Sequence, residues 1–352
     1  MRHKKSLILL VIILSVVLLA FGGYNIKEAM PTFLNSRKGL AVYGEKRLIG
    51  ERIDNGLEEL GLSASETETS SPAEESLSIQ KEVQDTEISA EVSESLPVYE
   101  YEQRVIEVMN DGKKIYGVAL IPQNVIEKVP LVICAHGLGG NYRTNMYYAQ
   151  QLASHGIAAY CFDFRGGGGN MSDGATTDMS VMTEVSDLEA ILEAAQRWDF
   201  TDAEQISLLG TSQGGIVSSI TAARHKDKIA GLVLLYPAFL VSDELHERFA
   251  SIDDVPESFW LNWITAGRCY AEDMWDYDVY EEIGNYENNV LLIHGSADNI
   301  VPLSYSEKAL ETYRCARLEV LPGAGHGFYG QDAQQALTWI LEYLETCKNN
   351  VD

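Results

Sequence analysis

Residues 206 to 217 read Ile-Ser-Leu-Leu-Gly-Thr-Ser-Gln-Gly-Gly-Ile-Val, and this stretch decides the fold. Ile206 to Leu209 is a short apolar run of the kind that forms a buried strand, and Ile216, Val217 and Ile220 belong to a helical pattern. Between them Gly210-Thr211-Ser212-Gln213-Gly214 is a G-x-S-x-G pattern. A serine at so sharp a strand-to-helix turn has a strained backbone and projects its hydroxyl into a cleft, so its neighbours must be small. Gly210 and Gly214 meet that need, and the following helix aims the positive end of its dipole at the serine.

Working outward, the chain alternates in the same way on both sides. An extended run from Tyr101 to Met109, an Asn110-Asp111-Gly112 turn and a second run from Lys113 to Ile121 predict an opening hairpin. Apolar runs follow at Leu131 to Ala135, Ile157 to Phe162, Ile206 to Leu209, Leu232 to Tyr236, Val290 to Ile293 and Leu318 to Leu321. Most of the intervals have helical spacing. Val185, Leu188, Ile191, Leu192 and Ala195 define a helix over about 181 to 197, and a last helix is expected over about 333 to 345. Strands alternating with helices predict an α/β fold, a mostly parallel central sheet with helices on both faces, whose ligand site lies beyond the carboxyl ends of the strands.

The exception is the stretch from Phe239 to Asn289, between the sixth and seventh strands and rich in Trp260, Trp263, Tyr270, Trp275, Tyr277 and Tyr280. It is too long for a plain connection. It is expected to be an inserted helical cap over the strand ends, most of its aromatics holding cap to body and some lining a pocket.

A neutral serine hydroxyl needs a base, and the base needs an orienting carboxylate. Asp298 follows the strand Val290 to Ile293 in His294-Gly295-Ser296-Ala297-Asp298, and His326 follows Leu318 to Leu321 in Gly323-Ala324-Gly325-His326-Gly327. The order Ser212, Asp298, His326, each after a strand, points to a nucleophile, an orienter and a base. Taken alone, each of the last two would read as an ordinary loop residue. His136 and His294, in His-Gly pairs that end strands, are expected to support their turns. An oxyanion also needs two backbone donors. Gln213, next to the nucleophile, offers one, and Leu138 in His136-Gly137-Leu138-Gly139-Gly140 is the candidate for the other.

On these motifs, residues 100 to 346 resemble the α/β-hydrolase superfamily, in the branch of capped esterases similar to cinnamoyl (feruloyl) esterases. The His-Gly loop, the GxSxGG elbow, the position of the cap, the HGxxDxxVP segment and the terminal GxGH carry the resemblance. It implies hydrolysis of small-molecule carboxylic esters through an acyl-enzyme, with neither metal nor organic cofactor. One stretch departs from the pattern D-x-R-G-x-G-x-S of many relatives. Residues 163 to 172 read Asp-Phe-Arg-Gly-Gly-Gly-Gly-Asn-Met-Ser, an extra glycine-rich stretch expected to form a flexible loop near the rim of the site. With no Lys-Ser/Thr after the glycines it is not a phosphate loop.

Charge narrows the partners. The 352 residues carry a formal charge of −26, and residues 97 to 352 hold −21 of it, with 37 acidic against 16 basic side chains. Such a domain repels phosphate backbones, so nucleic acid is set aside as a partner. The five cysteines show no CxxC and no repeated spacing, so neither a disulfide framework nor a metal site is expected, and Cys134 and Cys161 read as core residues of strands.

The first 96 residues are of another kind. Arg2, His3, Lys4 and Lys5 precede an apolar run from Leu7 to Phe21, so residues 1 to 23 read as a cleaved signal peptide or a membrane anchor, with the catalytic part outside the cytoplasm. Residues 24 to 61 are a mixed juxtamembrane segment. Residues 62 to 96, rich in Ser, Glu and Thr, cannot bury enough apolar surface to offset their ordering entropy and are expected to be a disordered acidic linker. The oligomeric state is not legible. Two other readings of residues 97 to 352 stay open: a peptidase similar to the prolyl oligopeptidases, and a non-catalytic binding protein on the same fold. The first lacks a preceding propeller, and the second would be suggested by a lost triad position.

Overall fold

A computed structural model describes residues 98–169 and 171–348. The signal or anchor, the juxtamembrane segment and the acidic linker expected over residues 1 to 96 lie outside the described residues. Among the described residues no helix is long and apolar enough to cross a membrane.

Two long strands, β1 (Tyr101–Asn110) and β2 (Lys113–Pro122), form the opening hairpin. Asp111 and Gly112, at φ of 50° and 71°, make the two-residue turn that the right-handed strand twist favours. Then come β3 (Val129–Ala135), β4 (Ala158–Phe162), β5 (Thr201–Thr211), β6 (Gly231–Leu235), β9 (Val290–Gly295) and β10 (Ala316–Leu321), with the short strands β7 (Ser258–Leu261) and β8 (Ile264–Gly267) between the sixth and ninth. The main sheet has eight strands in the order β1-β2-β4-β3-β5-β6-β9-β10. β1 is antiparallel to β2 and β2 to β4, and every other pair is parallel. The expected mostly parallel sheet is therefore present.

Every residue of β4, β6 and β9 is buried, as continuous apolar runs require when helices cover both faces. On one face lie α2 (Val181–Ala195) and α3 (Gln213–Arg224), which bury Val185, Leu188, Ile191, Ile216 and Ile220. Ser180 caps α2 reciprocally with Thr183, satisfying two of its free amide groups. On the other face lie α1 (Met146–Ser154) and α8 (Gln331–Lys348), which bury Leu152, Leu337 and Ile340. Cys134 and Cys161 stand opposite each other in β3 and β4 within this second core.

The insertion between β6 and β9 is not the all-helical cap expected from the sequence. It contains α4 (Val241–Arg248), α5 (Arg268–Met274) and α6 (Val279–Ile283), but also the β7–β8 hairpin. Phe259 and Leu261 are buried while Ser258 and Trp260 face out, a strand alternation, and Asn262 takes the left-handed φ of 53° in the two-residue turn. The remaining helix, α7 (Ser304–Thr312), links β9 to β10.

The register sets the site. Ala135 of β3 pairs with Gly210 of β5, Thr211 of β5 with Leu235 of β6, and Leu321 of β10 with Gly295 of β9. Their carboxyl ends are level, so the loops carrying Leu138, Ser212, Asp298 and His326 leave along one edge of the sheet.

Candidate active site

Ser212 stands between the end of β5 and the start of α3 with φ 52° and ψ −119°, a conformation that non-glycine residues rarely adopt. Three backbone hydrogen bonds enforce it. The Ser212 amide donates to Leu235 O at 3.0 Å, while Ser212 O accepts from Gly215 at 2.8 Å and Ala238 at 3.0 Å. The flanking glycines are a steric necessity. A Cβ on Gly210 would sit 2.2 Å from Gly214 O, and one on Gly214 would sit 2.3 Å from Ala135 O.

The three candidate side chains, far apart in sequence, meet here. Ser212 Oγ lies 2.9 Å from His326 Nε2, and His326 Nδ1 lies 2.8 Å from Asp298 Oδ2. The carboxylate is buried, and its Oδ1 accepts the Ile300 and Val301 amides, both at 2.9 Å. Burial opposes its ionisation, but the hydrogen bonds from His294, His326 and these two amides outweigh that cost and hold its pKa well below the usual carboxylate range. An ionised Asp298 fixes the His326 tautomer, leaving Nε2 free to accept the serine proton. Tyr236 packs edge-on against the His326 ring at 4.7 Å between centroids and limits its rotation.

Sequence reasoning placed His294 only as a support for its turn. It does bridge the loop, with Nε2 2.9 Å from Val301 O and Nδ1 2.7 Å from Ser306 Oγ. It also lies 3.3 Å from Asp298 Oδ2, one residue removed from the hydrogen-bond chain. The four-residue spacing in HGxxDxxVP is the signal for this contact. His136 is fully buried: its Nε2 accepts the Phe164 amide at 3.1 Å, so Nδ1 carries the proton it donates to Gly137 O at 2.8 Å. Burial pushes its pKa down to about 4, and it is neutral at physiological pH.

Leu138 and Gly139 are the two central residues of a turn closed by the Gly140 amide on Gly137 O at 2.9 Å. The turn abuts the elbow, since a Cβ on Gly137 would lie 2.9 Å from Ser212 Cβ. Gln213 is buried behind the serine. Its side-chain Nε2 donates to Glu184 Oε2 at 2.9 Å and its Oε1 accepts from Tyr270 OH at 2.8 Å. Neither partner was anticipated from sequence. Burial raises the Glu184 carboxyl well above the usual range, against the opposing hydrogen bond from Gln213.

A cavity of about 330 Å³ opens over Ser212, walled by Leu138, Leu240, Glu244, Trp263 and Tyr270. A larger depression of about 560 Å³, lined by Glu204, Lys226 and Asn288, opens elsewhere and contains none of the clustered residues. We place the chemistry in the smaller one because the strained serine lines it. The glycine-rich stretch after β4 does not swing free at the rim. Gly167 packs on the His136 ring, 3.0 Å from where a Cβ would stand, and Gly169 packs on the Asp163 carboxylate too tightly for a Cβ.

The sheet order agrees with the comparisons. A family model described as "Serine aminopeptidase, S33" matches residues 127–270, and one described as "TAP-like protein" matches residues 262–352. Est1E from Butyrivibrio proteoclasticus, solved with ferulic acid bound, is 25% identical and superposes with a TM-score of 0.62 over 67% of this chain and 98% of that one. The chain has the α/β-hydrolase fold. It resembles the serine hydrolases and esterases of that superfamily. The esterase EaEST from Exiguobacterium antarcticum, 21% identical with a TM-score of 0.53 over 68% of this chain and 98% of that one, shares the fold. An uncharacterized protein of Mycobacterium tuberculosis is 28% identical over 202 residues, 56% of this chain, and the match spans 63% of that relative's length. The serine hydrolase BPHL of Mus musculus is 24% identical over 166 residues, 40% of this chain and 55% of that one.

Proposed function

We propose that this α/β-hydrolase cleaves carboxylic esters through an acyl-enzyme, with Ser212 as nucleophile, His326 as base and acid, and Asp298 as orienter. The observation that carries the reading is the unbroken hydrogen-bond chain from Asp298 through His326 to a strained serine at the floor of a cavity. Ser212 Oγ attacks the ester carbonyl carbon as its proton passes to His326 Nε2. The carbonyl oxygen becomes an oxyanion facing the backbone N–H groups of Gln213 and Leu138. Collapse expels the alcohol, which takes the proton from His326, and water then attacks the acyl-enzyme by the same route in reverse.

The cavity walls support a small-molecule ester with an apolar or aromatic acyl group, since Leu240, Val241, Trp263 and Tyr270 offer apolar surface and Glu244 and Asn299 can accept or donate hydrogen bonds. The ferulic acid bound to Est1E makes hydroxylated aromatic acyl groups the first class to try. The peptidase reading retains one specific support, the name of the family model over residues 127–270. Residues 1 to 23, as export signal or anchor, place the activity outside the cytoplasm in this proposal.

The test is initial rates of the purified protein and its Ser212→Ala variant on short-chain, long-chain and cinnamoyl esters beside a peptide anilide. Ester turnover that disappears in the variant is expected. Anilide turnover alone would transfer the assignment to the peptidases, and no labelling of Ser212 by a fluorophosphonate would point to a binding protein.

A further inference from the structure

The insertion between β6 and β9 touches the site at two places, and both fall on the residues proposed above as oxyanion donors, Leu138 and Gln213. Trp263, in the turn of the β7–β8 hairpin, donates its indole Nε1–H to Leu138 O at 2.9 Å. Seven residues on, Tyr270 of α5 donates its hydroxyl to Gln213 Oε1 at 2.8 Å. We propose that the inserted segment, besides roofing the pocket, positions both halves of the oxyanion hole, so that docking of the insertion and assembly of the catalytic site are one event. This rests on the serine-hydrolase reading above.

The two contacts are built differently and act on the same end. On the Leu138 side, the hairpin turn lies flat on the backbone. A Cβ on Gly139 would sit 2.7 Å from Trp263 Nε1 and 3.0 Å from Ile264 Cγ2, and Gly139 takes the left-handed φ of 67°. Leu138 O belongs to the central peptide of a four-residue turn. The Leu138 N–H belongs to the peptide before it, whose Gly137 O is held by the Gly140 amide, so the Trp263 donor on Leu138 O fixes the peptide plane on the other side of the Leu138 Cα and leaves neither plane free to turn. On the Gln213 side, the carboxamide is held at both ends inside the protein, by Tyr270 OH on Oε1 and Glu184 Oε2 on Nε2, with all three residues buried. A buried amide with both ends taken cannot turn without leaving unpaired polar groups. Its backbone N–H, the first of α3, is thereby aimed.

The insertion is itself seated on the body. Thr176 Oγ1 donates to Thr265 O at 2.6 Å, Ser180 Oγ donates to Asp273 Oδ2 at 2.5 Å, and a Cβ on Gly267 would collide with Thr177 O. Residues 176 to 180 therefore fix the hairpin and α5 relative to the sheet, and through Trp263 and Tyr270 the two donors relative to Ser212. Preorganised donors act only as well as they are aimed, so this geometry belongs to the transition state and not to ground-state binding.

The experiment uses the full-length protein, its Tyr270→Phe and Trp263→Phe variants and the pair combined. A short acetyl ester, which offers the insertion the least contact, is the substrate, and a trifluoromethyl ketone of the same chain length is the transition-state analogue. Trp263 is half exposed and its replacement keeps a ring, so that variant folds even where Tyr270→Phe does not. The expected result is a fall in kcat of about tenfold or more for each variant with KM little changed, against the 10²–10³ expected for complete loss of a donor. Affinity for the ketone should fall in the same proportion as kcat/KM across the series. Folded variants with wild-type kcat and ketone affinity, or with only KM raised, would overturn the inference while leaving the hydrolase reading intact. A wild-type protein that turns over no ester and leaves Ser212 unlabelled would remove both.

Discussion

His294 Nε2 lies 3.3 Å from Asp298 Oδ2, the same carboxylate oxygen that takes His326 Nδ1 at 2.8 Å. Asp298 is thus flanked by two imidazoles, one of which is fully buried and tied to Ser306 and Val301. Removing it in His294→Ala leaves the Ser306 hydroxyl and Val301 carbonyl unpaired and frees the Asp298 loop. We expect kcat to fall about ten- to a hundredfold with KM nearly unchanged, because small misplacements of a catalytic group cost that much. Steady-state kinetics on a short ester check this, and a larger change in KM than in kcat would contradict it.

The serine is where backbone strain and the proposed chemistry coincide. At φ 52° and ψ −119°, Ser212 has a conformation that costs a non-glycine residue about 1 to 3 kcal/mol and that glycine accepts freely. Ser212→Gly should therefore melt higher than the wild type, by about 2 to 4 °C for about 1 kcal/mol gained, while activity drops by about 10⁴-fold or more. Thermal unfolding beside an esterase assay tests both halves, and a lower melting temperature would show that lost Cβ contacts outweigh the relieved strain.

His136 links the fold to pH. Its pKa is lowered to about 4 by burial, against about 6.5 in an unfolded chain. The native state therefore binds fewer protons than the unfolded one between those values. The stabilisation is complete above about pH 6.5 and is lost as pH falls towards 4, a change of roughly 3 kcal/mol for this group alone. The depressed Asp298 adds a loss of the same sign below the usual carboxylate range. The raised Glu184 carboxyl acts with the opposite sign, so the His136 part is read as a difference: between pH 7 and 4 urea unfolding midpoints should fall more in the wild type than in a His136→Asn variant, which is less stable at pH 7 but has no imidazole to charge.

Two glycines near the site should behave oppositely. Gly210→Ala forces a Cβ to 2.2 Å from Gly214 O, backbone against backbone, whereas the nearest atom to a Cβ on Gly325 is Ala297 O at 4.0 Å. Gly210→Ala is expected to yield little folded protein, overpacking by about 3 kcal/mol or more at a spot that cannot relax. Gly325→Ala should stay within about 1 kcal/mol of wild type. Circular dichroism melts separate them, and a stable Gly210→Ala protein would mean that the elbow can open by enough to admit a methyl group.

Much of this was legible in the chain. Apolar runs of four to six residues located six of the eight strands of the main sheet, since a strand covered on both faces is apolar throughout, and the extended runs around Asn110-Asp111-Gly112 located the other two. Ser212, Asp298 and His326 could be named because each follows such a run and lies between small residues, and only a few side-chain types do this chemistry. The insertion was read less well. Its aromatics drew attention to packing, and the Phe259 and Leu261 alternation with Asn262 at the turn, which signals a hairpin, was short enough to pass for part of a helix.

By itself the sequence determined the order of the elements, the crossing at which the site forms and the three side chains that meet there, since those follow from local hydrophobic pattern and from the sharp turns that glycine permits. Only the tertiary structure decided who holds them. Glu184, Tyr270, Trp263 and His294 fit many local settings equally well. Their partners Gln213, Leu138 and Asp298 are, His294 apart, between 29 and 125 residues away in the chain. A hydrogen bond needs donor and acceptor within about 3 Å, and over such separations only the packing of sheet, helices and insertion brings them that close.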